Sequence, residues 1–139
     1  MRSAIVLVDT GPLVALLDRR DVAHSSCAAL LAEAGAVETP ELVLAEAAYL
    51  AARRSGPRAE IVLARAVDRG EIISVPTIGA DWGRITQLTE RYLDLGLGVT
   101  DAAVVAIAER LGVVRLATLD RRHFSVVRPR HVDAFELVP

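Results

Sequence analysis

Four carboxylates stand apart from the rest of the 18 acidic residues in this 139-residue chain. Asp9 and Asp120 directly follow two segments, Ala4–Val8 and Val113–Leu119, that read as buried strands. Open α/β sheets place their ligands at the carboxyl ends of such strands. A single Asp there is commonly a turn residue that accepts nearby backbone N–H bonds; two at matching strand ends favour a site. Glu46 has Leu42, Tyr49 and Leu50 as its i−4, i+3 and i+4 neighbours, so it interrupts an apolar helix face. A carboxylate in that position needs a metal, a proton or a cation, with Arg53 and Arg54 within reach. Asp101 opens a helix whose body, Ala102–Ala108, is apolar all round, and it shares a face with Val104, Val105 and Ala108. Helix-dipole stabilisation alone would account for an acid there. Taken together, the four form an all-oxygen set suited to hard cations such as Mg²⁺ or Mn²⁺. Converging carboxylates repel one another and keep their charge when a cation joins them. Such ions activate water and stabilise a leaving oxygen in phosphodiester hydrolysis. The other acids, among them Glu33, Glu60, Asp68, Glu90 and Glu109, read as polar helix faces.

The basic residues are all arginine: 16 of them, with no lysine. Schiff-base chemistry and a P-loop are thereby excluded. Arg115, Arg121, Arg122, Arg128 and Arg130 cluster around Asp120 with His123 and His131, and Arg53, Arg54 and Arg58 form a second group beyond Glu46. Basic stripes beside an acidic pocket suit a polyanionic backbone, and Arg115, Arg121, Arg122 and Arg128 are candidate contacts to it. The net charge of −2 does not oppose this, because two divalent ions reverse its sign. The three histidines lack ligand-like spacing and read as surface or capping residues.

The elements that must position these groups follow from periodicity and punctuation. After the first strand, helices are expected at 13–17 and 22–34, and a short strand at Val37–Thr39. Pro40 then starts a helix to about Arg54, broken by Ser55-Gly56-Pro57. A helix at Arg58–Arg69, a strand at Ile72–Val75 and a long helix at Ile78–Leu93 follow, with Trp82 in its core face. Thr100 precedes a helix from Asp101 to Leu111 closed by Gly112, and Ala134–Val138 makes a last edge strand. The order predicts one α/β domain over residues 1–139, an α/β/α sandwich with a mostly parallel central sheet flanked by helices. No apolar stretch approaches the about 20 residues of a membrane span, and the opening apolar run ends too soon, at Asp9, for a signal peptide. The single Cys27 reads as a small buried hydrophobe of a reduced cytoplasm.

Four segments in order resemble PIN-domain ribonucleases of the VapC toxin type: Val8-Asp9-Thr10-Gly11-Pro12-Leu13, Pro40-Glu41-Leu42-Val43-Leu44-Ala45-Glu46, Thr100-Asp101-Ala102-Ala103, and Thr118-Leu119-Asp120-Arg121-Arg122-His123-Phe124. The resemblance covers nearly the whole chain. It implies a Mg²⁺- or Mn²⁺-dependent endoribonuclease with Asp9, Glu46, Asp101 and Asp120 as catalytic metal ligands and Thr10 and Thr118 in support. It also implies a homodimer, inhibition by a cognate antitoxin, and structured RNA, transfer or ribosomal, as substrate. Some relatives carry a further acid where this chain has Thr118, which leaves a one-metal resting state open. Two rival readings differ in class. A haloacid-dehalogenase-like phosphatase needs a second Asp where Gly11 stands and a lysine the chain lacks. A non-catalytic scaffold would have no need of clustered, costly charge.

Overall fold

The computed structural model describes residues 5–139, so Ala4 of the expected first strand lies outside the described residues. Five short strands carry the sheet: β1 (Ile5–Val8), β2 (Ala36–Pro40), β3 (Ile73–Val75), β4 (Arg115–Ala117) and β5 (Glu136–Val138). Between them lie α1 (Thr10–Leu16), α2 (His24–Glu33), α3 (Glu41–Ser55), α4 (Pro57–Asp68), α5 (Gly79–Arg91), α6 (Val99–Leu111) and α7 (Arg121–Phe124). All four pairings are parallel, in the order β3-β2-β1-β4-β5. Full burial on both faces explains why β1 is an unbroken apolar run: Val6, Leu7 and Val8 are all inaccessible. The chain winds outward from β1 through β2 to β3, then returns to lay β4 on the other side of β1. The order of winding therefore reverses between β1 and β4, the place where such folds open a crevice at the strands' carboxyl ends.

Helix α6 is buried throughout Ala102–Ala108, as its uniformly apolar body requires, and Gly112 ends it in the left-handed conformation at φ 69°. Arg84 on α5 binds both oxygens of Glu109 on α6 at 2.8 Å each, with side-chain exposures of only 14% and 11%. Glu109 is thus a largely buried ion-pair partner rather than a member of a solvated face. Burial pushes its carboxyl up, but the hydrogen bonds from Arg84 and from the Arg130 backbone outweigh this and hold it below the usual range. The buried stripe of α5 is Asp81, Ile85 and Leu88, which turns Trp82 outward to 46% exposure, against the expected core position. Cys27 is fully buried. Helix α2 starts only at His24, after a fully exposed Val22, and α7 is a single turn between β4 and β5 that periodicity did not reveal.

Candidate active site at the carboxyl edge of the sheet

Asp9 leaves the end of β1 and precedes α1, with extended backbone at φ −82° and ψ 174°, yet its side chain does not cap that helix. Its carboxylate, in a residue only 5% exposed, accepts instead from the hydroxyl of Thr118, Oγ1 to Oδ2 2.9 Å. Burial pushes the Asp9 carboxyl up to about 6; the backbone N–H of Thr10 and the Thr118 hydroxyl partly offset this, and the negative charges of Asp101 and Asp120 add to it. Thr118 follows β4 directly. Its Oγ1 also accepts the backbone N–H of Asp120 at 2.9 Å, so one buried hydroxyl ties the β1 acid to the β4 loop.

Glu46 reaches the same edge from α3. Thr10 donates its hydroxyl to Glu46 Oε2 at 2.6 Å, a contact between residues 36 positions apart. The core face of α3 is Val43, Ala47 and Ala51, with Tyr49 and Leu50 exposed, so Glu46 stands on an open flank and not in a buried apolar stripe. Neither neighbouring arginine pairs with it: Arg54 binds Asp21 at 2.6 Å and Arg53 lies over the Tyr49 ring.

Asp101, in the first turn of α6, meets Asp120 through His123. The imidazole Nδ1 lies 3.2 Å from Asp101 Oδ2 and 2.8 Å from Asp120 Oδ2, and Nε2 lies 3.1 Å from the carbonyl of Leu95. Asp120 caps α7, accepting the His123 backbone N–H at 3.1 Å. One ligand atom from each of Asp101, Asp120 and His123 falls within 4.8 Å of the others. Burial raises the Asp101 carboxyl, the His123 contact lowers it, and the charges of Asp120 and Glu46 raise it again. All four acids from the sequence therefore gather at one edge, coupled by charge. His123 joins them unforeseen, because its placement depends on the single turn of α7. The signal was an i, i+3 relation to Asp120 that becomes meaningful only on a helix.

The candidate RNA-contacting arginines divide. Arg121 and Arg122 lie on α7 next to Asp120, both exposed, and Arg121 donates to the Pro139 oxygen. Arg128 is exposed and donates its backbone N–H to the Tyr92 hydroxyl at 3.0 Å. Arg115 begins β4 at the opposite, amino end of the strand, 3.7 Å from Glu136, and is not brought to the acids.

The PIN domain pattern matches residues 6–128. Ribonuclease VapC26 of Mycobacterium tuberculosis is 31% identical over 135 residues, spanning 96% of this chain and all of that protein. The crystal structure of Mycobacterium tuberculosis VapC20, a sarcin–ricin loop cleaving toxin, superposes with a TM-score of 0.82 at 23% identity, covering 92% of this chain and 98% of that one. VapBC2 from Rickettsia felis, crystallised on a fragment of promoter DNA, superposes with a TM-score of 0.70 at 16% identity, over 97% of this chain and 99% of that one. Those two structures share the fold, and the sequence match supplies the kinship: this chain belongs to the PIN-domain family, on its VapC branch.

Proposed function

We propose that the protein is a metal-dependent endoribonuclease toxin that hydrolyses phosphodiester bonds of structured RNA, transfer or ribosomal, and is restrained by a cognate antitoxin. One observation supports this above all: Asp9, Glu46, Asp101 and Asp120 converge from four separate chain segments although mutual repulsion, and for Asp9 and Asp101 burial as well, opposes it. The donor set fits Mg²⁺ or Mn²⁺, since Asp9 receives only neutral hydrogen-bond donors and its charge is left for a cation to balance. Asp9, Glu46, Asp101 and Asp120 would hold the ion. When bound, it supplies an activated water and neutralises charge on the phosphate. The chain's own residues set the geometry. Thr118 fixes one oxygen of Asp9, Thr10 fixes one oxygen of Glu46, and His123 holds Asp101 and Asp120 together while anchored on the Leu95 carbonyl. Arg121, Arg122 and Arg128, exposed around Asp120, are placed to hold the RNA backbone.

The relatives named for ribonuclease activity and for sarcin–ricin loop cleavage support RNA as substrate, and the VapBC2 assembly supports an antitoxin partner. Exposed Ile61 and Val62 on α4 support a homodimer face. No helix among the described residues is long and apolar enough to cross a membrane, and a cytoplasmic site of action accords with an RNA target. The test is cleavage of total RNA by the purified protein with Mg²⁺ or Mn²⁺, with EDTA, and by Asp9→Asn. Discrete fragments that vanish in both controls establish the nuclease. No cleavage by folded, metal-loaded protein makes it a scaffold, and equal cleavage by the variant marks a contaminant.

A further inference from the structure

A cleft of about 360 Å³ opens beside the acidic centre, large enough for a small ligand. Thr10, Gly11, Val14, Leu50 and Leu119 line it, and Arg53 and the Arg54–Asp21 pair form its rim. Three of these residues belong to the segments that carry the acids. Thr10 follows Asp9, Leu119 precedes Asp120, and Leu50 lies one helical turn beyond Glu46. The cleft therefore lies next to the carboxylates, and Thr10 is a wall of both. Its composition is mixed in a specific way. Leu50 and Leu119 remain about 40% and 44% exposed, an apolar floor presented to water. A Cβ on Gly11 would stand 3.2 Å from Leu119 Cβ, so glycine is what lets that floor lie close against α1. The guanidinium groups of Arg53 and Arg54 stand at its rim; Arg54 is paired with Asp21 and neighbouring Arg20 with Asp18, so Arg53 carries the uncompensated positive charge. The Asp21 carboxylate adds a hydrogen-bond acceptor inside the rim.

We infer that this cleft is a nucleobase subsite, which seats one unpaired base of the RNA next to the scissile phosphate. An apolar floor accepts the face of any base, and Arg53 at the rim complements an adjoining phosphate. Asp21 and Arg54 bond each other at 2.6 Å, and the lone pairs and N–H groups this leaves are the acceptors and donors available to a base edge. Continuity with the carboxylates through Thr10, a wall of both, favours the substrate over a protein segment as occupant. The inference deepens the ribonuclease reading and rests on it for the identity of the phosphate, while its binding test does not need turnover.

The probe is a random-sequence RNA hexamer added in Ca²⁺ to methyl-labelled full-length protein, followed by NMR. The expected result is shifts concentrated at the Val14, Leu50 and Leu119 methyls. Leu50→Asp, an exposed position where folding is not at stake, should lower hexamer affinity about tenfold. Val114→Asp, equal in charge and at the amino end of β4, should stay within about twofold. Loss of cleavage in wild type with these shifts retained would overturn the nuclease reading and leave the subsite standing. Absence of shifts at the three methyls, or equal weakening by both variants, overturns the subsite. If cleavage occurs, sequencing the fragment ends should show a base preference in wild type that Leu50→Asp flattens; an unchanged preference overturns the subsite.

Discussion

Replacing Asp9 with Asn should make the metal-free protein more stable, not less. The side chain keeps its shape, and an amide oxygen still accepts the Thr118 hydroxyl that now lies 2.9 Å away. What disappears is a buried negative charge that faces Asp101 and Asp120. Its carboxyl moves from an ordinary 3.8 to about 6 on folding, with burial the main cause. At about 1.4 kcal/mol per tenfold, that displacement costs the folded state about 3 kcal/mol at neutral pH. Because the folded value is the higher one, the folded state binds the proton more tightly. Stability from this group is complete below pH 3.8 and is lost as pH rises through about 6. In EDTA at pH 7.5, Asp9→Asn should therefore melt about 10 °C above wild type, and the gap should close as the pH falls toward 4. Divalent cation should reverse the order: at about a hundredfold over Kd it adds about 2.7 kcal/mol to wild type and far less to the variant. Melting curves in EDTA and in Mn²⁺ across that pH range check both halves. A variant that melts at or below wild type in EDTA at pH 7.5, or a gap that ignores pH, would refute the idea that this carboxylate is held at a cost for a cation.

Thr118→Val should destabilise the protein by about 1–3 kcal/mol in urea titration, since it strips the donor from buried Asp9 and the acceptor from the Asp120 N–H. Thr10→Val should change stability little but weaken Mn²⁺ binding about tenfold or more by calorimetry, because Glu46 loses the hydroxyl that orients it. Arg84→Ala should cost about 3 kcal/mol by urea titration at pH 7, leaving the largely buried Glu109 charge with only the Arg130 backbone N–H. Glu109 titrates below its ordinary range in the folded protein, so its contribution is present above that range and lost on acidification; the Arg84→Ala deficit should shrink in acid titrations of stability.

The parts of the site that were legible in the sequence are those fixed by local pattern. A buried strand followed by Asp identifies Asp9 without knowledge of its neighbours, and a helix apolar all round places Asp101 at the mouth of the core. Glu46 shows the limit of such reasoning. The expected apolar stripe through Leu42, Tyr49 and Leu50 is not the buried one, which runs Val43, Ala47, Ala51. The residue draws its position from Thr10, 36 residues away, a contact no helical spacing encodes. Trp82 failed for a related reason: one residue of rotation, about 100°, separates it from the buried stripe that Asp81 leads. An aspartate in a core stripe is legible only once Arg110 is seen to bind it at 3.1 Å.

His123 marks where tertiary structure changes the chemistry of the site. A set of four carboxylates alone favours Mg²⁺ and Mn²⁺ about equally, whereas an imidazole among them favours the softer of the two. Its Nδ1 faces two carboxylates and its Nε2 faces a carbonyl, so both nitrogens meet acceptors at 3.2 Å or less. Rotation of the ring toward a bound ion would break the Leu95 contact, while retention would leave Asp101 and Asp120 drawn toward the imidazole. His123→Gln should separate these possibilities. An amide holding the two carboxylates as the imidazole does would leave the ratio of Mn²⁺ to Mg²⁺ affinities unchanged. A direct ligand, once removed, should shift that ratio toward Mg²⁺ by about tenfold in calorimetric titrations. We expect the unchanged ratio, because three separate contacts tie His123 to its own loop, to the Leu95 carbonyl and to the acids. A tenfold shift would show that the imidazole turns from organising the acids to joining them.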